Sequence, residues 1–156
     1  MKILNKESGE LLEAVIELVE NKDWSIIHNN DAFQFDWLKE RKQIVHKIRL
    51  EVEQEILGLI SIEDIPREFR IHVRLIEVNS KDTGRNKRFD HIAGCLFAFS
   101  CQLAFEKDYE GFVSLQSKTE LEQHYMNKYK FQQFGRNLFV ELGQSQNLIN
   151  KYLNDE

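Results

Sequence analysis

The sequence predicts a single domain of mixed α/β class (α+β in its element order), with a mostly antiparallel central sheet and one β-α-β crossover. Three features predict it. Residues 43–52 and 56–62 flank an acidic bend at 51–55 and read as a long hairpin. Residues 70–78 form a further apolar-alternating run, which passes through a basic loop into 92–105. That last stretch is apolar almost all round, as a buried helix should be.

The remaining elements follow in order. Leu11, Leu12, Val15, Ile16, Leu18 and Val19 recur at roughly helical spacing and predict an N-terminal helix, capped by Ser8 or Gly9 and ended at 21–23. Residues 24–27 read as extended or irregular, and 33–37 alternates apolar and polar like a half-buried strand. Pro66 marks a loop. In 70–78, Ile71, Val73 and Leu75 lie on one face, with Ile76 and Val78 on the other. Residues 111–115 give another strand, and Ser117 with Glu120 reads as a capping box for a helix to about Tyr129. A strand pair closes around Gly135, and Ser145 is positioned to cap a short terminal helix carrying Leu148, Ile149 and Leu153.

Composition sets bounds on function. The chain has 156 residues, 42% apolar and 30% charged, which is the profile of one globular domain with its own core. The net charge of −5 weighs against a dedicated nucleic-acid protein, although Lys81, Arg85, Lys87 and Arg88 make a local basic patch. Cys95 and Cys101 fall on different faces of one helix, so they cannot bridge and read as reduced core residues. The start of the sequence has no apolar leader and no run approaches a membrane span, so a cytoplasmic protein without membrane contact is expected. The five histidines and two cysteines show no metal-ligand spacing, so no metal is expected.

The chemistry concentrates where the 70–78 strand ends. A strand, a basic loop and then His91-Ile92-Ala93-Gly94 opening a helix is an arrangement that grips phosphate. Unpaired N–H groups and the positive end of the helix dipole meet there, and small residues let a ligand approach the backbone. Asn86, Lys87 and Arg88 would add donors and charge.

In its second half the chain resembles the GNAT superfamily of acetyl-CoA-dependent N-acetyltransferases. Arg88-Phe-Asp-His91-Ile-Ala93 follows the family's R/Q-x-x-G-x-G/A pattern after a strand ending in Val78, with Leu96 at the family's usual Leu. Residues 58–62 match the strand before the binding strand, and 125–131 match the Tyr-x-x-x-Gly-Phe ending. Four departures stand out. His91 and Lys130 occupy glycine positions, the loop from Val78 to Arg88 is longer than the family's, and Met126 takes the usual Tyr position beside Tyr125.

The resemblance implies a GNAT-like fold with a cleft between two splayed parallel strands. It implies acetyl-CoA as co-substrate, held by Val78, Asn86, Lys87, Arg88, His91, Ile92, Ala93 and Gly94. The backbone of Glu77 and Val78 would polarise the thioester, the Glu77 carboxylate is a candidate base, and Tyr125, with Tyr129 in reserve, would protonate the leaving thiolate. His72 and His124 are weaker candidate bases. In this scheme residues 1–42 form the acceptor side, 43–142 the cofactor-binding core and 143–156 a terminal helix. The partner implied is a small-molecule or peptide amine, with a homodimer compatible. Two other readings fit the residues: a non-catalytic CoA- or acyl-CoA-binding module of this fold, and a polyanion-binding protein using the 81–88 loop.

Overall fold

The computed structural model describes residues 1–116 and 120–154. The capping box expected at Ser117 lies outside the described residues. The chain divides into two compact units, Met1–Ser61 with Leu75–Leu96, and Ile62–Arg74 with Phe97–Glu156. Strands β4 (Gly58–Ile65) and β5 (Arg70–Val78) and helix α2 (Ile92–Glu106) run from one unit into the other.

In the first unit, β1 (Lys2–Asn5), β2 (Leu11–Leu18), β3 (Ile44–Leu50) and β6 (Phe89–Asp90) join the β4 and β5 segments in the order β6-β1-β2-β3-β4-β5. The β1–β2, β1–β6 and β2–β3 pairs are antiparallel. Helix α1 (Asn21–His28) lies between β2 and β3 in the chain. The core gathers Trp24, Ile27, Phe33, Trp37, Val45, Ile56 and Leu59.

In the second unit, the β4 and β5 segments continue through β7 (Val113–Gln116) and β9 (Asn137–Val140) to β8 (Gln132–Phe134), with helices α3 (Glu120–Tyr129) and α4 (Leu142–Tyr152). β5–α2–β7 is the expected crossover, and β5 and β7 are parallel. Phe97 anchors this core against Tyr125, Tyr129 and Phe131, at ring separations of 5.3, 5.1 and 5.1 Å.

Four sequence expectations are corrected. Residues 11–18 form strand β2 instead of a helix. Leu12, Ala14, Ile16 and Leu18 share one face and Glu13 and Glu17 the other, so an alternation was present beneath the helical spacing, and pairing on both edges selects the strand. Residues 21–28 are helical, with Glu20 N donating to Asp23 Oδ2 at 2.8 Å in the first turn. Residues 33–36 are irregular and lead into a short 3-10 turn at Trp37–Glu40. Glu141 occupies the N-cap position of α4 without a side-chain cap bond; Ser145 lies inside the helix and donates to Gly111 O at 2.6 Å. The cysteines are buried and free, as expected.

Candidate functional site

β5 carries a change of phase. Ile71 N donates to Phe112 O at 3.1 Å, on the β7 side, and the β5–β7 ladder runs from Ile71↔Val113 to Val73↔Leu115. Further on, Asn79 N donates to Leu57 O at 2.8 Å, on the β4 side. Burial follows the same switch, from Ile71 and Val73 to Ile76. One extra residue between Val73 and Ile76, a β-bulge, accounts for both. By alternation from Asn79, the peptide groups of Ile76 and Val78 face the edge away from β4, while that of Glu77 faces β4. Of the two residues the sequence singled out, Val78 therefore presents its backbone to the edge beyond the ladder, and Ile76 joins it in place of Glu77.

The loop after β5 is locked from within. Asn79 is 1% exposed. Its Nδ2 donates to Ile56 O at 3.1 Å, and its Oδ1 accepts from Lys81 N at 3.0 Å. Arg88 grips Asp82 through Nε and Nη2, at 3.0 and 2.8 Å, and reaches Glu55 Oε1 through Nη1 at 3.1 Å. The Asp82 side chain is fully buried and also accepts from Phe89 N at 3.2 Å. Asp82, followed by Glu55, holds the Arg88 guanidinium above its ordinary pKa. Arg88 thus closes the loop. Lys87 pairs with Asp90 at 3.1 Å, so both cations the sequence offered to a phosphate have internal partners. Asn86 is exposed.

At the start of α2 the backbone keeps a glycine-like conformation without glycine. His91 has φ +79°, and Lys130, the other residue at a family glycine position, has φ +57°. Non-glycine residues adopt this region at a cost of roughly 1–2 kcal/mol, so the surrounding fold imposes the turn. Asp90 Oδ1 accepts from His91 N at 2.7 Å, and Cys95 N bonds His91 O at 2.9 Å. The N–H groups of Ile92, Ala93 and Gly94 belong to the first helical turn, which has no intrahelical acceptors. Arg88, His91, Ile92, Ala93 and Gly94 are contiguous here, and one unit contains them together with Val78.

Glu77 has a different setting from that of a free base. Its carboxylate accepts from Gln34 N at 2.6 Å, Phe35 N at 3.2 Å and Trp37 Nε1 at 2.8 Å. It pins the irregular 34–37 segment to β5. Two arginines of the sheet have other carboxylate partners: Arg49 pairs with Glu17 at 2.7 Å and Arg74 with Glu63 at 3.3 Å.

In the second unit, Tyr125 and Tyr129 share a helix face, both against Phe97. Tyr125 is 9% exposed and Tyr129 2%, so Tyr125 has the greater access to solvent. Burial pushes the Tyr125 phenol up to about 12. His72 Nδ1 lies 2.8 Å from Ser114 Oγ, and burial followed by Arg70 lowers its pKa. Among the described residues no cluster of His, Cys, Asp and Glu could hold a metal ion.

Sequence reasoning missed Asp82, Glu55 and the 34–37 backbone. The Asp82–Arg88 pair leaves no periodic mark, and Glu77 meets Trp37 across 40 residues of chain.

The described residues bring together a phase-shifted strand, a locked loop and a helix that opens on a positive-φ turn, and comparison with solved structures gives the GNAT acetyltransferase fold. No family model matches the chain and no curated protein matches it. A protein described as a streptothricin acetyltransferase from Bacillus anthracis, solved with acetyl coenzyme A, superposes with a TM-score of 0.61 at 12% identity, covering 84% of this chain and 98% of that one. A GNAT-family acetyltransferase from Listeria monocytogenes gives 0.56 at 16% identity, covering 91% and 100%. A chimeric spermidine N-acetyltransferase from Vibrio cholerae gives 0.58 at 14% identity, covering 91% and 99%. At these identities the likeness establishes the fold. No helix among the described residues is long and apolar enough to cross a membrane.

Proposed function

We propose that the chain is an acetyl-CoA-dependent N-acetyltransferase that moves the acetyl group directly to a primary amine in a ternary complex. The observation that carries this reading is the coincidence, in one unit, of the outward-facing peptides of Ile76 and Val78 with the turn at His91. An extended amide chain would hydrogen-bond along the β5 edge. A diphosphate would meet the N–H groups of Ile92, Ala93 and Gly94 at the positive end of α2.

The roles follow from the chemistry. A backbone N–H at Ile76 or Val78 stabilises negative charge growing on the thioester oxygen. An alkylamine with pKa ~10.4 must lose a proton before it attacks. Glu77 already accepts three hydrogen bonds, so its role is to hold the 34–37 segment, and the acceptor enters as the neutral amine, its proton given up to the buffered solvent before binding. Tyr125, with its phenol at about 12, keeps its proton and donates a hydrogen bond to the leaving thiolate. A thiolate with a reference pKa of ~8.5 does not fully deprotonate such a phenol.

A second reading, a CoA-binding module without turnover, is favoured by one observation: the candidate base and the loop arginine both have internal partners. Thiol release separates the two. Incubated with acetyl-CoA and a panel of primary amines, the chain is expected to liberate free CoA thiol in an amine-dependent manner. Glu77→Gln is expected to keep kcat within about threefold while raising the KM of the amine. A loss of ~10²–10⁴-fold in kcat would assign Glu77 as the base after all. CoA binding with no thiol release from any amine would select the module.

A further inference from the structure

The first unit carries an open groove of about 550 Å³, lined by Ile26, Asn29, Asn30, Asp31, Ser80 and Lys81. Its volume is that of an ordinary small-molecule site. Ser80, in its wall, follows Val78 by two positions, and Ser80 N donates to Ala32 O at 2.9 Å. The groove wall is therefore tied to the end of β5.

One wall of the groove, at Asn29 and Asp31, suits a positive charge. Helix α1 ends in it, with Asn29 as C-cap. The last carbonyls of a helix lack intrahelical donors and carry the negative end of its dipole. Asn30 Oδ1 accepts from Ala32 N at 2.8 Å, which fixes the turn beyond the helix. Among the described residues the Asp31 carboxylate has no hydrogen-bond or ion-pair partner; only its backbone oxygen is engaged, by Gln34 Nε2 at 3.1 Å. Lys81 is the opposing charge, and its Nζ lies 3.9 Å from Glu55 Oε2. Ile26, 53% exposed, offers an apolar wall to a methylene chain.

We infer that this groove holds the distal ammonium of a di- or polyamine whose second amine reaches the end of β5. The arrangement resolves a conflict in the chemistry. The attacking amine must be neutral, whereas recognition by Asp31 and the α1 carbonyls needs a cation. A diamine supplies both, one nitrogen held protonated and the other free to react. The inference rests on the transferase reading for the fate of the second amine. Capture of the first is independent of it.

Titration calorimetry of the full chain with putrescine, using butylamine as comparison at fixed ionic strength, tests the groove without turnover. Putrescine is expected to bind saturably and more tightly than butylamine. Asp31→Asn should weaken putrescine roughly tenfold, the scale of a lost hydrogen bond to a charged group. Asp31→Glu should largely retain binding, and Glu7→Gln, an equal charge change outside the groove, should leave it unchanged. No saturable putrescine binding, or equal affinity in wild type and Asp31→Asn, overturns the inference. An equal loss in Glu7→Gln also overturns it, because the effect would then be net charge. Titration with acetyl-CoA reports separately on the transferase reading. Asp31-dependent putrescine binding without acetyl-CoA binding keeps the groove and removes the transferase; acetyl-CoA binding without putrescine binding does the reverse.

Discussion

Arg88→Ala is expected to lower stability by about 2–3 kcal/mol and to abolish acetyl-CoA binding at concentrations that saturate the wild type. The Asp82 side chain is fully buried, and Arg88 supplies two of the hydrogen bonds it accepts. Removing one partner of a buried pair strands the other charge, at a cost of ~3–5 kcal/mol when both are dry. Here the Arg88 side chain is 36% exposed and Phe89 N still serves Asp82, so the cost is smaller. Function suffers beyond stability. Arg88 O accepts from Lys6 N at 2.9 Å, and the next two residues form β6 on β1, immediately before the His91 turn. Loss of the clamp frees the segment that holds α2's first turn in its binding conformation. Urea unfolding and calorimetric titration at a temperature where the variant is folded check both parts. The double variant Asp82→Asn, Arg88→Met separates clamp from ligand contact. Recovered stability with recovered binding means Arg88 acts on the loop; recovered stability with binding still lost means it touches the phosphates.

Lys47→Ala should be the most destabilising single change, by about 3–5 kcal/mol. Lys47 on β3 and Asp23 on α1 meet at 2.7 Å, with their side chains 3% and 5% exposed. Glu17 lies 3.7 Å from the same ammonium, on neighbouring β2. Alanine would leave the Asp23 carboxylate buried without its cation, and Asp23 also accepts from Glu20 N to start α1. The helix that ends at the groove would lose its attachment to β3. For a chain of this size the midpoint of thermal unfolding should fall by roughly 10 °C. The paired replacement Lys47→Met, Asp23→Leu should recover most of the loss, because a well-packed apolar pair costs no ion desolvation. A Lys47→Ala variant as stable as the wild type would mean that the pair is solvated.

The second half of the chain was legible because its signals are local. The alternation at 70–78, the all-round apolar stretch of α2 and the turn at Gly135 each fix an element within a short window. Residues 11–37 were not legible for the opposite reason. Leu11 to Val19 satisfies two periods, and only the strands on either side, β1 and β3, decide between them. The candidate site shows the same division. The sequence placed the end of β5 at Val78 and the start of α2 at Ile92. The bulge that selects Ile76 over Glu77 arises from the different partners of β5 along its length. His91 and Lys130 looked like obstacles at glycine positions. Both keep positive φ, so the turn survives the change of residue.

The proposed activity requires that the outward-facing edge of β5 and the first turn of α2 together bind acetyl-CoA. Titrating isotopically labelled protein with acetyl-CoA, while following backbone amides by NMR, tests it most directly. Saturable shifts centred on Ile76, Val78, Ile92, Ala93 and Gly94 are expected. No shift at any amide up to millimolar ligand, or shifts centred elsewhere with these five unmoved, would contradict it.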